Sequence, residues 1–255
     1  MSTKTVVFIH GLYMTPLCWE GWVKRFEAKG YRCLAPAYPG RDKSVQALQT
    51  PDATLGKLTL SNVIDHLANQ INKLDDKPIL IGHSIGALLT QLLLHRGLAS
   101  AAIAIDSAPP SGVFTTTFSF LKANWGHITP FANQNSPVIM SFERFQYAFV
   151  NDMPLEEQRA AFEKYVVPES RLIPRESLFG AKIDFKRPHA PLLLIAGGND
   201  NIIPPDLNEK NYNKYKGSNS VTDFKEFPGR NHFIIGQKGW EEVADYCLEW
   251  IAKQQ

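Results

Sequence analysis

Ser84, Asp200 and His232 are the residues of this 255-residue chain whose types and surroundings could carry nucleophilic chemistry. A serine hydroxyl is a poor nucleophile at neutral pH. It needs a base within hydrogen-bond reach and a third group that orients that base and stabilises its cation. Ser84 lies in Gly82-His83-Ser84-Ile85-Gly86, between an apolar run at 78–81 and an apolar helical pattern at 85–94. That context predicts a strand, a sharp turn and a helix. A serine on such a turn projects its hydroxyl clear of the sheet, and glycines on either side let neighbouring backbone pass close. Asp200 ends Gly197-Gly198-Asn199-Asp200, just past an apolar run at 192–196, and His232 follows the run at 222–227 in Gly229-Arg230-Asn231-His232-Phe233. All three are therefore expected on loops at the carboxyl edge of a parallel sheet, where α/β folds build their sites.

Acyl transfer also develops an oxyanion, best met by fixed backbone N–H groups. The sequence offers two: Ile85, which opens the helix after Ser84, and Leu12, in the loop after His10-Gly11. His10 itself reads as a brace for that loop. Asp106, at the end of an apolar run at 101–105, is the alternative acid to Asp200. A neighbouring aspartate should raise the titration of His232 above its reference of about 6.5.

Short β-rich apolar runs at 5–9, 32–35, 78–81, 101–105, 192–196 and 222–227 alternate with helical patterns, which predicts a mostly parallel six-stranded sheet flanked by helices. Leu60, Val63, Ile64, Leu67, Ile71 and Leu74 form one stripe at helical spacing, and Trp240, Val243, Ala244, Cys247, Leu248 and Ile251 another. The helix after Ser84 is apolar nearly all round, so it should run through the interior. Trp19 and Trp22 should pack a further helix onto the sheet. The alternation breaks between Asp106 and Pro191. The intervening 107–190 holds 13 of the 28 aromatic residues and reads as a helical cap insertion, with helices expected at 141–150 and from about 152 to 166. The core is then 1–106 with 191–255.

With these motifs in place the chain resembles the α/β-hydrolase superfamily, in the group of serine esterase and lipase-like members with a helical cap. Phe8-Ile9-His10-Gly11, the Ser84 pentapeptide, Gly197 to Pro204 and Asn231-His232-Phe233 match in order, and Tyr38-Pro39-Gly40-Arg41-Asp42-Lys43-Ser44 is similar to a turn common in the family. The resemblance implies an α/β-hydrolase fold whose first two strands are missing. It favours Asp200 over Asp106 as the acid, and the serine argues against relatives with an aspartate nucleophile. The function implied is a carboxylesterase acting on small or medium apolar esters through an acyl-enzyme. Perhydrolysis, C–C bond hydrolysis and hydroxynitrile lyase activity on the same three residues are the alternatives, as is a ligand receptor that kept the fold without turnover.

Tyr13, Phe114, Phe118, Trp125 and Phe233 are the candidate substrate-pocket residues, the aromatic rings of the insertion being placed to roof an apolar site. A net charge of +2 with interspersed signs suggests neither nucleic acid nor an anionic membrane as partner. Nor does any segment approach the roughly 20 apolar residues of a membrane span. Cys18, Cys33 and Cys247 are odd in number and lack metal-type spacing, which fits thiols of a reducing, cytoplasmic compartment. The chemistry needs no metal and no organic cofactor.

Overall fold

Apolar runs long enough for a strand and too short for a helix pair side by side in the computed structural model, which describes residues 4–50, 54–128 and 136–254, without the side chains of 125–128 and 179. They form β1 (Thr5–Ile9), β2 (Arg32–Leu34), β3 (Ile79–His83), β4 (Ala101–Ile105), β5 (Leu192–Gly197) and β6 (Thr222–Phe227). The sheet order is β2-β1-β3-β4-β5-β6, and every neighbouring pair is parallel. β3 and β4 are buried along their whole length, as strands covered on both faces must be. The chain steps from β1 outward to β2 and then returns to the other side for β3. The β1/β3 boundary is therefore the switch point, and loops leaving these two strands diverge to open a crevice.

Strand β3 runs two residues further than the apolar run suggests. Its ladder with β4 continues to His83 opposite Ile105, and the Ser84 N–H donates to the Ile105 carbonyl at 2.9 Å. Ser84 is thus held at the last rung of the sheet.

The helices are α1 (Glu20–Glu27), α2 (Val45–Leu48), α3 (Leu60–Ile71), α4 (Ile85–His95), α5 (Phe118–Ile128), α6 (Phe142–Ala148), α7 (Leu155–Tyr165), α8 (Leu172–Gly180), α9 (Pro205–Lys214) and α10 (Trp240–Lys253). The stripes on α3 and α10 face the core. α4 buries nearly its whole surface beside β3 and β4, which its all-round apolar pattern requires. Trp19, Trp22 and Phe26 gather around Phe8 of β1, with ring centroids 5.1, 6.4 and 5.3 Å from it. Cys18 and Cys247 are buried, Cys33 is half-buried, and all three are free thiols. Among the described residues no helix is long and apolar enough to cross a membrane.

The segment between β4 and β5 carries α5 to α8. Its extended pairing among the described residues is a single antiparallel bridge between Val138 and Glu169. α6 and α7 lie where helical spacing predicts them. α8 was obscured by Pro174, yet that proline is the helix's third residue, in the first turn where a missing N–H breaks no intrahelical bond.

Candidate active site

Three non-glycine residues among those described have positive φ: Tyr13 at 62°, Ser84 at 60° and Asp106 at 44°. They stand in the loops after β1, β3 and β4, so the left-handed backbone among the described non-glycine residues is gathered at one edge of the sheet. Such conformations cost of order 1–3 kcal/mol each and persist where the surroundings over-determine them. At Ser84 the surroundings are the two glycines. A Cβ on Gly86 would lie 2.2 Å from the Ile9 carbonyl oxygen, and one on Gly82 would lie 2.2 Å from the Gly86 carbonyl oxygen. Only hydrogen at Gly86 lets the turn seat against β1, and only hydrogen at Gly82 lets the end of β3 pass the backbone of α4.

Across the crevice, Ser84 Oγ lies 3.0 Å from His232 Nε2, and His232 Nδ1 lies 2.6 Å from Asp200 Oδ2. Asp200 Oδ1 accepts from the N–H groups of Ile202 and Ile203, both at 2.8 Å. A carboxylate oxygen facing Nδ1 places the imidazole proton there. The bare Nε2 is left to accept from the serine hydroxyl. His232 is fully buried, and burial pushes its imidazole down to about 3. The direction is opposite to the upward shift expected from the sequence, because taking a cation out of water disfavours the protonated ring. Burial likewise pushes the Asp200 carboxyl up, against the Ile203 and Ile202 N–H bonds that favour its ionised form.

Asp106 turns the other way. Its Oδ1 accepts from Gly197 N–H at 2.6 Å, tying the end of β4 to the end of β5. Burial and, after it, the charge of Asp200 push its carboxyl well up, which favours its neutral form. His83 donates from Nε2 to the His232 carbonyl at 2.7 Å and so braces the histidine loop from beneath. His10 is buried, with Nδ1 donating to the Gly11 carbonyl at 2.9 Å and its ring tilted against Tyr38, centroids 3.8 Å apart. The Tyr38 hydroxyl donates to the His10 carbonyl. His10 therefore fills the bracing position that the sequence suggests.

Ile85 is the first residue of α4, where the backbone N–H has no partner inside the helix. It lines a cavity together with Ser84, Leu12 and Tyr13. One group among the described residues could also offer a metal ion three donors, His83, Asp106 and His232, with ligand atoms within 4.8 Å of one another. Both His232 nitrogens already face Asp200 and Ser84, so a metal there would compete with those contacts.

The sequence pattern of the alpha/beta hydrolase family matches residues 6–246, which takes in every site residue just described. The chain belongs to the alpha/beta hydrolase family. No curated protein matches its sequence. Among solved structures this hydrolase is similar to a monoacylglycerol lipase from Paleococcus ferrophilus, at 19% identity and a TM-score of 0.70, covering 100% of this chain and 97% of that one. Tomato methylketone synthase I bound to 2-tridecanone is similar at 17% identity and a TM-score of 0.73, covering 100% of both chains. The methylesterase MES16 from Arabidopsis follows at 18% identity and 0.71, covering 98% of this chain and 99% of that one. At these identities the likeness establishes the fold.

The hydrolase's cavity beside Ser84 is small, about 70 Å³, and its walls are mostly apolar. Of the candidate pocket residues Tyr13 lines it, whereas Phe114, Phe118 and Phe233 do not. Phe118 is 76% exposed, beneath the Lys122 ammonium on the outer side of α5. Phe120 and Asn124, four apart on one face of that helix, are turned to the cavity instead. Residues two apart on a helix point roughly 200° apart, so Phe118 and Phe120 cannot share a face. Phe114 lies in the loop before α5, where no element covers it, and is also 76% exposed. Phe233 is buried, but packs on Gly236 and 5.5 Å from the Tyr165 ring. The Trp125 side chain lies outside the described residues.

Several residues at the site were not singled out from the sequence for the places they hold. Phe149 stands edge-on to the His232 ring at 4.9 Å and lines the cavity, as do Ile202 and Ile203. Asn231 donates from Nδ2 to Asp152 Oδ1 at 2.5 Å and accepts from Phe233 N–H at 2.9 Å, fastening the histidine loop to the helical segment. An asparagine in a loop is too common to stand out; only the fold brings Asp152 to it.

Proposed function

We propose that this hydrolase is a carboxylesterase that works through an acyl-enzyme, with Ser84 as nucleophile, His232 as base and Asp200 as the acid that orients His232. The observation that carries the proposal is the unbroken line from Asp200 Oδ2 to His232 Nδ1 and from His232 Nε2 to Ser84 Oγ, at 2.6 and 3.0 Å. His232 takes the hydroxyl proton as Ser84 attacks the carbonyl, and returns it to the departing alcohol. The N–H groups of Leu12 and Ile85 hold the oxyanion. A water activated by His232 then attacks the acyl-enzyme and the acid leaves. The alpha-helical dipole of α4 adds positive potential at Ile85.

Residues 107–190 act in this reading as the cap over a core of 1–106 and 191–255, roofing the site with Phe120 and Phe149. The cavity of about 70 Å³ falls well below the roughly 300–1,000 Å³ usual for ligand pockets, which favours short acyl groups over long ones. The lipase and the methylesterase among the similar structures agree with ester chemistry, while the methylketone synthase is a reminder that this fold carries other reactions. A series of p-nitrophenyl esters from acetate to laurate tests the proposal. Turnover should be fastest on the short members and should vanish in Ser84→Ala. Activity that survives that substitution, or no activity on any member, would contradict it.

A further inference from the structure

Arg41 and Glu169 form an ion pair, Nη2 to Oε1 at 2.6 Å, with both side chains fully shielded from solvent. Taking two charges out of water is expensive, so such a pair is weak support for stability by itself. The expense here is raised further. Arg41 Nε and Nη1 find no hydrogen-bond acceptor among the described residues, so the contact of Nη2 with Glu169 is what offsets the buried charge.

What the pair touches gives it a use. Glu169 Oε2 accepts from the backbone N–H of Tyr13 at 3.2 Å, and Oε1 accepts from Ser170 N–H at 2.8 Å. Two residues earlier, Val167 N–H donates to the Tyr13 carbonyl at 2.9 Å. Both backbone polar groups of Tyr13 are therefore gripped by residues 167–169, and Tyr13 is the residue held at a φ of 62°. It directly follows Leu12. The opposite end of the same short loop is gripped from the Arg41 side: the Tyr38 hydroxyl donates to the His10 carbonyl, and Arg41 N–H closes onto the Tyr38 carbonyl at 2.9 Å. Glu169 is itself fixed by its bridge to Val138.

We propose that Arg41 and Glu169 are positioning residues for the oxyanion site: Arg41 fixes the Glu169 carboxylate, Glu169 keeps Tyr13 in its left-handed conformation, and that conformation aims the Leu12 N–H at the oxyanion. The inference rests on the reading of Leu12 as an oxyanion donor. It gives the segment between β4 and β5 a part in the chemistry as well as in substrate choice.

Two variants test it by different routes. Arg41→Met/Glu169→Leu removes both charges at similar volume, so no unpaired charge stays buried and the fold should hold. Glu169→Asp keeps the charge but withdraws the carboxylate from Tyr13 by one carbon. A misplacement of about 1 Å costs on the order of a hundredfold in rate. Each folded variant should therefore lose roughly tenfold to a hundredfold in kcat on p-nitrophenyl acetate with KM little changed. Affinity for phenylboronic acid, which adds to a serine as a tetrahedral anion, should fall by a similar factor, since it draws on the same donors as the transition state. A raised KM with unaltered kcat, or an active parent whose folded variants keep both kcat and boronate affinity, would overturn the inference alone and leave the pair as a fastener of the helical segment. A parent that neither hydrolyses the ester nor binds the boronate would overturn the esterase reading, and this inference with it.

Discussion

Ser84 and Phe120 line one cavity, yet they are held by different means. Ser84 sits at φ 60° at the last rung of β3, with its N–H bonded into the sheet and glycines on both sides that nothing larger could replace. Phe120 is a half-buried ring on a surface helix, placed by which face of α5 turns inward. Strained backbone clamped by a sheet tolerates almost no substitution. Side chains on a helix above it can be exchanged with modest loss. The sheet-edge loops should thus govern rate, and the segment above them should govern which ester is accepted, except where Glu169 reaches back to Tyr13.

The sharpest way to break this division lies on the sheet side. Asp200→Asn should fold as the parent does, yet lower kcat by about 10⁴-fold, because an amide can hold the wrong imidazole tautomer. Asp106→Asn keeps the acceptor for Gly197 N–H and should do far less. Reversed results, read from kcat on a short p-nitrophenyl ester, would move the acid from β5 to β4.

A smaller effect tests the environment of the base. His232 must be neutral to accept the Ser84 proton, and burial pushes its titration down, so the acid limb of kcat/KM should move to lower pH than about 6.5. Protonation switches the base off, so activity should persist below the reference value and fail only in more acidic buffer. A limb centred above about 6.5 would mean that the Asp200 charge outweighs burial.

The smallest effect belongs to the helical segment. Phe120→Ala opens the cavity wall and should shift the ratio of kcat/KM for hexanoate over acetate by about tenfold toward the longer acid, the scale of one or two methylenes in an apolar pocket. Phe114→Ala, at an exposed ring, should leave the ratio unchanged. Equal effects from both would dissolve the distinction between inward and outward faces.

The same contrast explains what the sequence made legible. Strands, the interior helix after Ser84 and the three loops with Ser84, Asp200 and His232 follow from apolar runs and from glycines placed next to chemistry, which are local signals. The inward face of α5 is not local. Phe118 and Phe120 read alike until the helix is seated, and choosing between them needs the sheet beneath. The pairing of Asn231 with Asp152, and of Arg41 with Glu169, joins segments far apart in the chain through single polar contacts that leave no periodic trace. Tyr13 at positive φ carries no glycine to announce it. The downward push of burial on His232 is illegible in the sequence for a related reason: a neighbouring carboxyl can be read from a motif, whereas complete burial of the ring depends on Phe149 and the loops that close over it.

The most direct test of the central claim is to treat the folded protein with a fluorophosphonate and locate the adduct by mass spectrometry. A serine activated by a buried histidine should take the label at Ser84 and nowhere else, Ser84→Ala should take none, and His232→Ala should react far more slowly while still folded. A folded parent that stays unlabelled, or that carries the label on another residue, would contradict the assignment of Ser84 as the nucleophile of this hydrolase.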